Sequence, residues 1–179
     1  MNFDEVMTQL ESWGSEQTCK TYGRHGVKGK MFGVSYANLK VLTKKIKKDH
    51  DLAIKLWASE NHDARIFATM IVDSTKFTNE QAESWVNDCD NYAITGAIVT
   101  PLAKSPLAKE IMEKWTNSDE EWRGQAGWSL LGQLASPPVR ISEEELKNYL
   151  EIIEKNVHQS KNRAKYSMML ALICIGAYT

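Results

Sequence analysis

The chain predicts an all-α fold, and three observations carry that expectation. Apolar residues recur at i, i+3, i+4 and i+7 over most of the length. No run alternates apolar and polar residues long enough to make a strand, and no Asn-Gly or Asp-Gly turn occurs. Residues able to accept from a helix N-terminus stand ahead of the apolar stripes at regular intervals.

Taken in order, Ser35 is the expected N-cap of a helix with Leu39, Leu42 and Ile46 on one face and Lys40, Lys44, Lys47 and Lys48 elsewhere. Asn61 precedes Ala64, Phe67, Ala68 and Ile71 at helical spacing. Thr78 and Gln81 form a capping box ahead of Ala82, Trp85, Val86 and Cys89. Ser105 and Pro106 read as N-cap and first helical residue, with Leu107, Ile111 and Trp115 following. Ser118 and Glu121 make a second box before Trp122, Ala126, Ser129, Leu130 and Leu134. Ser142 and Glu145 make a third before Leu146, Tyr149, Leu150, Ile153 and Val157. A last helix is expected from about Lys161 to the end, apolar nearly all round from Met168 to Tyr178. A terminal helix without a polar outer face implies that further residues or a second subunit cover it.

The starts at Ser35, Thr78, Ser118 and Lys161 recur at about 40 residues, the period of two-helix HEAT-type repeats. Short connections return each helix beside its predecessor. The expected architecture is therefore a single domain over 1–179 of stacked antiparallel helix pairs forming a curved α-solenoid. A compact irregular bundle is the alternative. Curved slabs of paired helices bind extended partners.

The 179 residues carry 22 Lys+Arg against 23 Asp+Glu, which excludes a chain that coats nucleic acid by bulk charge. Charge is segregated, however. From Lys20 to His50 there are nine Lys/Arg and one acid, Asp49. From Asp51 to Thr100 there are three bases and eight acids. The first segment could meet phosphates or could simply solvate a helix face. The start, MNFDEVMTQLESW, lacks a signal peptide's basic and apolar regions, and no run is apolar enough to span a membrane. Three well-separated cysteines, Cys19, Cys89 and Cys174, suit reduced thiols in a cytoplasmic protein.

Motifs for familiar chemistry are missing: no P-loop, GxGxxG, GxSxG, HExxH or paired-Cys pattern occurs. His25, His50, His62 and His158 are scattered, with no metal-ligand spacing. No cofactor or metal is expected. Trp57, Trp85 and Trp115 lie on apolar stripes and read as core, whereas Trp13 and Trp128 could instead stack on a base or sugar.

Several segments together resemble the DNA alkylation repair family of HEAT-like repeat proteins, whose founding members are glycosylases for alkylated purines. They are YGRHGVKGKMFGVSYANLKVLTKKI (22–46), HDLAIKLW (50–57), HDARIFATMIVD (62–73), WVNDCDNY (85–92), KWTNSDEEWRGQAGWSLL (114–131) and NRAKYSMMLALICIG (162–176). The resemblance implies duplex DNA held on a positive concave face. It also implies a catalytic set of Trp, Asp four residues later, Arg on the next repeat and a second Trp. In that chemistry a carboxylate stabilises the oxocarbenium-like sugar while aromatic rings cradle it.

Carried over by position, the first Trp falls at Tyr92, the Asp at Gly96, the Arg at Gln125 with Arg123 nearby, and the second Trp near Met168. A glycine cannot supply the carboxylate, and losing one such stabilising group costs about 2.7–4 kcal/mol elsewhere. Asp90 is the remaining carboxylate candidate for catalysis. For DNA contact the candidates are Arg24, Lys28 and Lys30 in the glycine-rich loop, Tyr92, Arg123, Gln125 and Trp128, and Lys161, Arg163 and Lys165 at the last helix. Gly26 and Gly29 would let backbone N–H groups approach phosphate. The expected function is thus a DNA-binding family member, with excision in question. The rival is a scaffold that binds a protein partner or dimerises through its C-terminal helix.

Overall fold

The computed structural model describes residues 1–178, Tyr178 by its backbone alone; Thr179 lies outside the described residues. Among them are eleven α-helices, one short 3-10 turn and no strand. The helices gather into two compact units, the first covering Met1–Lys76 and the second beginning at Phe77.

The first unit holds α1 (Phe3–Ser12), α2 (Glu16–Arg24), α3 (Tyr36–Ile46), α4 (His50–Ala58), α5 (His62–Ile71) and the 3-10 turn Ser74–Lys76. Helix α5 lies against α4, and α3 and α1 close on that pair. Val6, Leu10, Leu39, Leu42, Leu56, Phe67 and Ile71 have almost no exposed surface. Each such side chain contributes about 1.5–3 kcal/mol of apolar burial. Ser35 and Asn61 cap α3 and α5 as their positions predict, accepting from the amides of Asn38 and Ala64.

Helix α2 buries no residue in that core. Main-chain bonds tie its start to the loop that follows it, since the Ser15 amide donates to the carbonyls of both Phe32 and Gly33. Gly33 makes this approach feasible. Its φ is +80, and a Cβ there would strike the Ser15 carbonyl and stand 2.7 Å from the Cys19 sulfur.

The second unit holds α6 (Asn79–Asn87), α7 (Tyr92–Leu102), α8 (Ala108–Thr116), α9 (Glu121–Ala135), α10 (Glu143–Asn156) and α11 (Asn162–Tyr178). Helix α9 is its axis, in contact with α6, α7, α8 and α11. Its small residues set the spacing. A Cβ on Gly127 would lie 2.5 Å from the Trp115 carbonyl carbon, and one on Gly124 would lie 3.1 Å from the Ala164 Cβ. Helix α11 presents Ala164, Ser167, Met168, Ala171 and Ile175 inward. Its other side leaves Tyr166, Met169, Leu170, Leu172 and Ile173 exposed. The uniform apolarity of its sequence therefore covers one buried and one bare face.

Two of the expected caps take a different form. Ser105 does not start α8. Its hydroxyl accepts from the Leu107 amide in a separate turn, and the helix begins at Ala108. The Ser118/Glu121 box does not close either. Ser118 accepts from the Glu120 amide, and the Glu121 carboxylate instead accepts from the Arg163 amide at 3.0 Å. That carboxylate serves the open N-terminus of α11, where a negative group meets unpaired amides and the positive end of the helix dipole. The Thr78/Gln81 and Ser142/Glu145 boxes form as predicted, and a third joins Asn2 to Glu5.

Candidate nucleic-acid interface

In the first unit the candidates sit on the loop between α2 and α3. Arg24, Lys28 and Lys30 are all exposed there. The loop is tightly held beneath them. Asp63, 1% exposed, accepts from three successive amides: Phe32 at 2.6 Å, Gly33 at 3.0 Å and Val34 at 2.8 Å. The Tyr22 hydroxyl donates to the Val34 carbonyl at 2.6 Å, and the His62 amide donates to the Lys30 carbonyl. Burial, and then the Asp63 charge, push the Tyr22 phenol up to about 12.

Gly26 and Gly29 have φ of +86 and +90, values glycine adopts without strain. The Gly26 amide is spent on the Gly23 carbonyl, which closes a turn, so it cannot also bind phosphate. Asp63 was missed in the sequence. Its signal was a buried acid in the first turn of a largely apolar helix, with a glycine-rich loop elsewhere in the chain whose amides needed acceptors.

In the second unit, Tyr92 opens α7 and Arg163 stands in the first turn of α11. The Arg163 guanidinium lies 4.1 Å from the centre of the Tyr92 ring. Among the described residues it has no carboxylate within ion-pair distance. Gln125, on α9, donates from Nε2 to the Tyr92 carbonyl at 3.0 Å. Its Oε1 is buried without a donor. Gly96 lies one turn beyond Tyr92 and is exposed, with open space where a Cβ would point. Lys161 is exposed just ahead of α11, and Lys165 Nζ donates to the His158 carbonyl.

Three of the expected residues are placed differently. Trp128 is 1% exposed and meets Tyr149 edge-on at 6.1 Å, so its ring belongs to the core. Gln125 is 7% exposed and acts as an internal strut. Arg123 is committed to neighbours: its guanidinium bonds Glu83 and donates to Asn87 Oδ1 at 2.6 Å. Glu83 also accepts from Trp115 Nε1 at 2.8 Å and Lys114 Nζ at 3.1 Å. Burial works to raise the Glu83 carboxyl, but donation from Arg123, Trp115 and Lys114 overcomes it and holds the group at about 2. Asp90 is exposed ahead of α7, where its carboxylate accepts from the Asn91 side chain at 2.7 Å. Among the described residues no cluster of His, Cys, Asp or Glu could hold a metal, and no helix is long and apolar enough to cross a membrane.

The model of the DNA alkylation repair enzyme family matches residues 6–178. The chain belongs to that family. A solved structure 30% identical, with a TM-score of 0.94, covers 99% of this chain and 77% of its own. It represents a family described as related to the HEAT-like repeat DNA glycosylases, with affinity for branched DNA structures. Two uncharacterised relatives, Lmo0209 from Listeria monocytogenes and Lin0241 from Listeria innocua, are 24% and 25% identical over 99% of this chain and 80% of theirs. The all-α HEAT-like architecture expected from helix spacing is thus the fold of this family member.

Proposed function

We propose that this family member binds DNA through its phosphates, branched DNA in preference to linear duplex, and does not excise bases by the family's chemistry. It acts as one HEAT-like domain over 1–179, in the cytoplasm. Arg24, Lys28, Lys30, Lys161, Arg163 and Lys165 make the contacts. The observation that carries this reading is the Arg163 guanidinium, stacked on Tyr92 and, among the described residues, outside ion-pair distance of any carboxylate. An aromatic face that could receive a cationic sugar is already covered by the protein's own cation. One turn away Gly96 offers no carboxylate. The local chemistry suits an anion. The affinity for branched DNA of the 30% identical neighbour supports the preference.

The test is binding to a three-way junction and to a linear duplex of equal length at two salt concentrations. Tighter, salt-dependent binding to the junction is expected. Absence of salt-dependent binding to either DNA would withdraw the proposal. Release of alkylated purines is assayed in parallel with Asp90→Asn. Release that Asp90→Asn abolishes would restore Asp90 as a catalytic carboxylate.

A second reading rests on the exposed Tyr166, Met169, Leu170, Leu172 and Ile173 of α11. A contiguous apolar face suits a partner or a second copy. Sedimentation equilibrium decides it: a dimer that Ile173→Glu dissociates favours this reading, and a monomer at all concentrations removes the dimer.

A further inference from the structure

Helix α3 carries a second cationic surface that the proposed function does not use. The helix, YANLKVLTKKI, contains no acid. Leu39 and Leu42 face the core, each 1% exposed. Tyr36, Lys40 and Lys44 follow one another at four-residue intervals, which puts them on a single stripe of the helix surface, and Lys47 stands at the end of the helix. All four are exposed, Tyr36 by 45%.

Two other lysines of this segment face carboxylates. Lys48 pairs with Asp73 at 3.7 Å, and Lys45 borders a groove lined by Asp4 and Glu5 of α1. Among the described residues Lys40, Lys44 and Lys47 have no carboxylate within ion-pair distance. Lysines near a helix C-terminus favour the dipole, which accounts for some cation there. It does not account for a stripe that begins at mid-helix.

The backbone at Lys47 is a second, independent observation. Lys47 caps the end of α3 with φ +63 and ψ −114. Glycine adopts positive φ freely, whereas a residue with a Cβ is strained there. The chain holds a lysine where glycine would sit more easily. A position kept at a cost in stability points to use of its side chain.

We propose that the Tyr36–Lys40–Lys44–Lys47 stripe is a phosphate-binding ridge for one duplex arm of branched DNA. The assignment rests on the DNA-binding reading above and deepens it. A branched substrate offers more than one arm, and the ridge holds an arm beyond the one that the cations of the proposed function hold, so a linear duplex gains little from it. Lysine contacts to phosphate carry no sequence information, so the ridge reads the presence of an arm and not its bases.

The test compares the full chain with the triple variant Lys40→Gln/Lys44→Gln/Lys47→Gln, on a three-way junction and a linear duplex, across a salt series. The variant should lose about 2 to 3 from the magnitude of the log–log salt slope on the junction, at about 0.9 per contact, and keep the duplex slope. Junction binding with an unchanged slope, or an equal loss on both DNAs, overturns the ridge while leaving the DNA-binding reading intact. No DNA binding by the wild type would instead remove that broader reading, and this one with it.

Lys47→Gly separates structure from binding. It should leave the melting temperature unchanged or higher and reduce the junction slope by about 1. A lower melting temperature with an unaltered slope overturns the assignment. So does lysine-dependent binding to phosphatidylserine vesicles with junction binding unaffected.

Discussion

Arg163 covers the ring of Tyr92, its guanidinium 4.1 Å from the ring centre, while its own backbone amide is held by Glu121 across from α9. One residue thus joins the starts of three helices, α7, α9 and α11. Arg163→Ala should weaken junction binding and lower the magnitude of its salt slope by about 0.9, the value of one phosphate contact. Arg163→Lys should restore the slope but not the full affinity, because an ammonium keeps the charge and loses the planar stacking. A salt titration of the three proteins checks both outcomes.

Asp63 fixes the basic loop from below. Asp63→Asn removes the charge and places an amide donor against main-chain N–H groups that already need acceptors. The expected cost is about 2–3 kcal/mol, measured by urea unfolding. Amide exchange should accelerate at residues 32 to 34 before it does so in α9. Unchanged exchange there would mean the loop holds itself.

Two glycines on helices should respond with opposite sign to the same change. Gly96→Ala meets open space and should stabilise the chain by about 0.5–1 kcal/mol. Gly127→Ala drives a methyl into the Trp115 backbone and should destabilise it by about 1–3 kcal/mol. Thermal unfolding of the pair reads the difference directly. Gly96→Asp should fold normally yet bind DNA less well, since it sets a negative charge near the Arg163 contact.

Glu83 predicts a pH dependence. Its carboxyl lies at about 2 in the folded chain and near 4.5 when unconstrained. A lowered folded value makes the unfolded chain bind the proton more readily. The stabilisation is therefore complete above about 4.5 and is lost as pH falls through about 2. Glu83→Gln should be less stable at neutral pH and should flatten the melting-temperature profile between those limits.

The capping boxes show where local sequence suffices. Thr78/Gln81 and Ser142/Glu145 close within one turn, between residues three apart. Ser118/Glu121 has the same spelling and fails, because the N-terminus of α11 offers Glu121 a free amide from 42 residues away. Arg123 and Trp128 were misplaced for the same kind of reason. Their residue types allow either a surface or a buried role, and only the approach of Glu83, Asn87 and Tyr149 assigns the second.

The sequence by itself determined that the chain is helical, roughly where each helix runs and which stripe it buries, because those depend on spacings of three and four residues within one segment. It also determined that Gly96 cannot act as a carboxylate. Tertiary structure alone decided which cations are free and which are spent, that Asp63 is an anchor, and that Arg163 lies on Tyr92. The decisive contacts among them join residues far apart in the sequence, and neither composition nor periodicity records which remote group arrives.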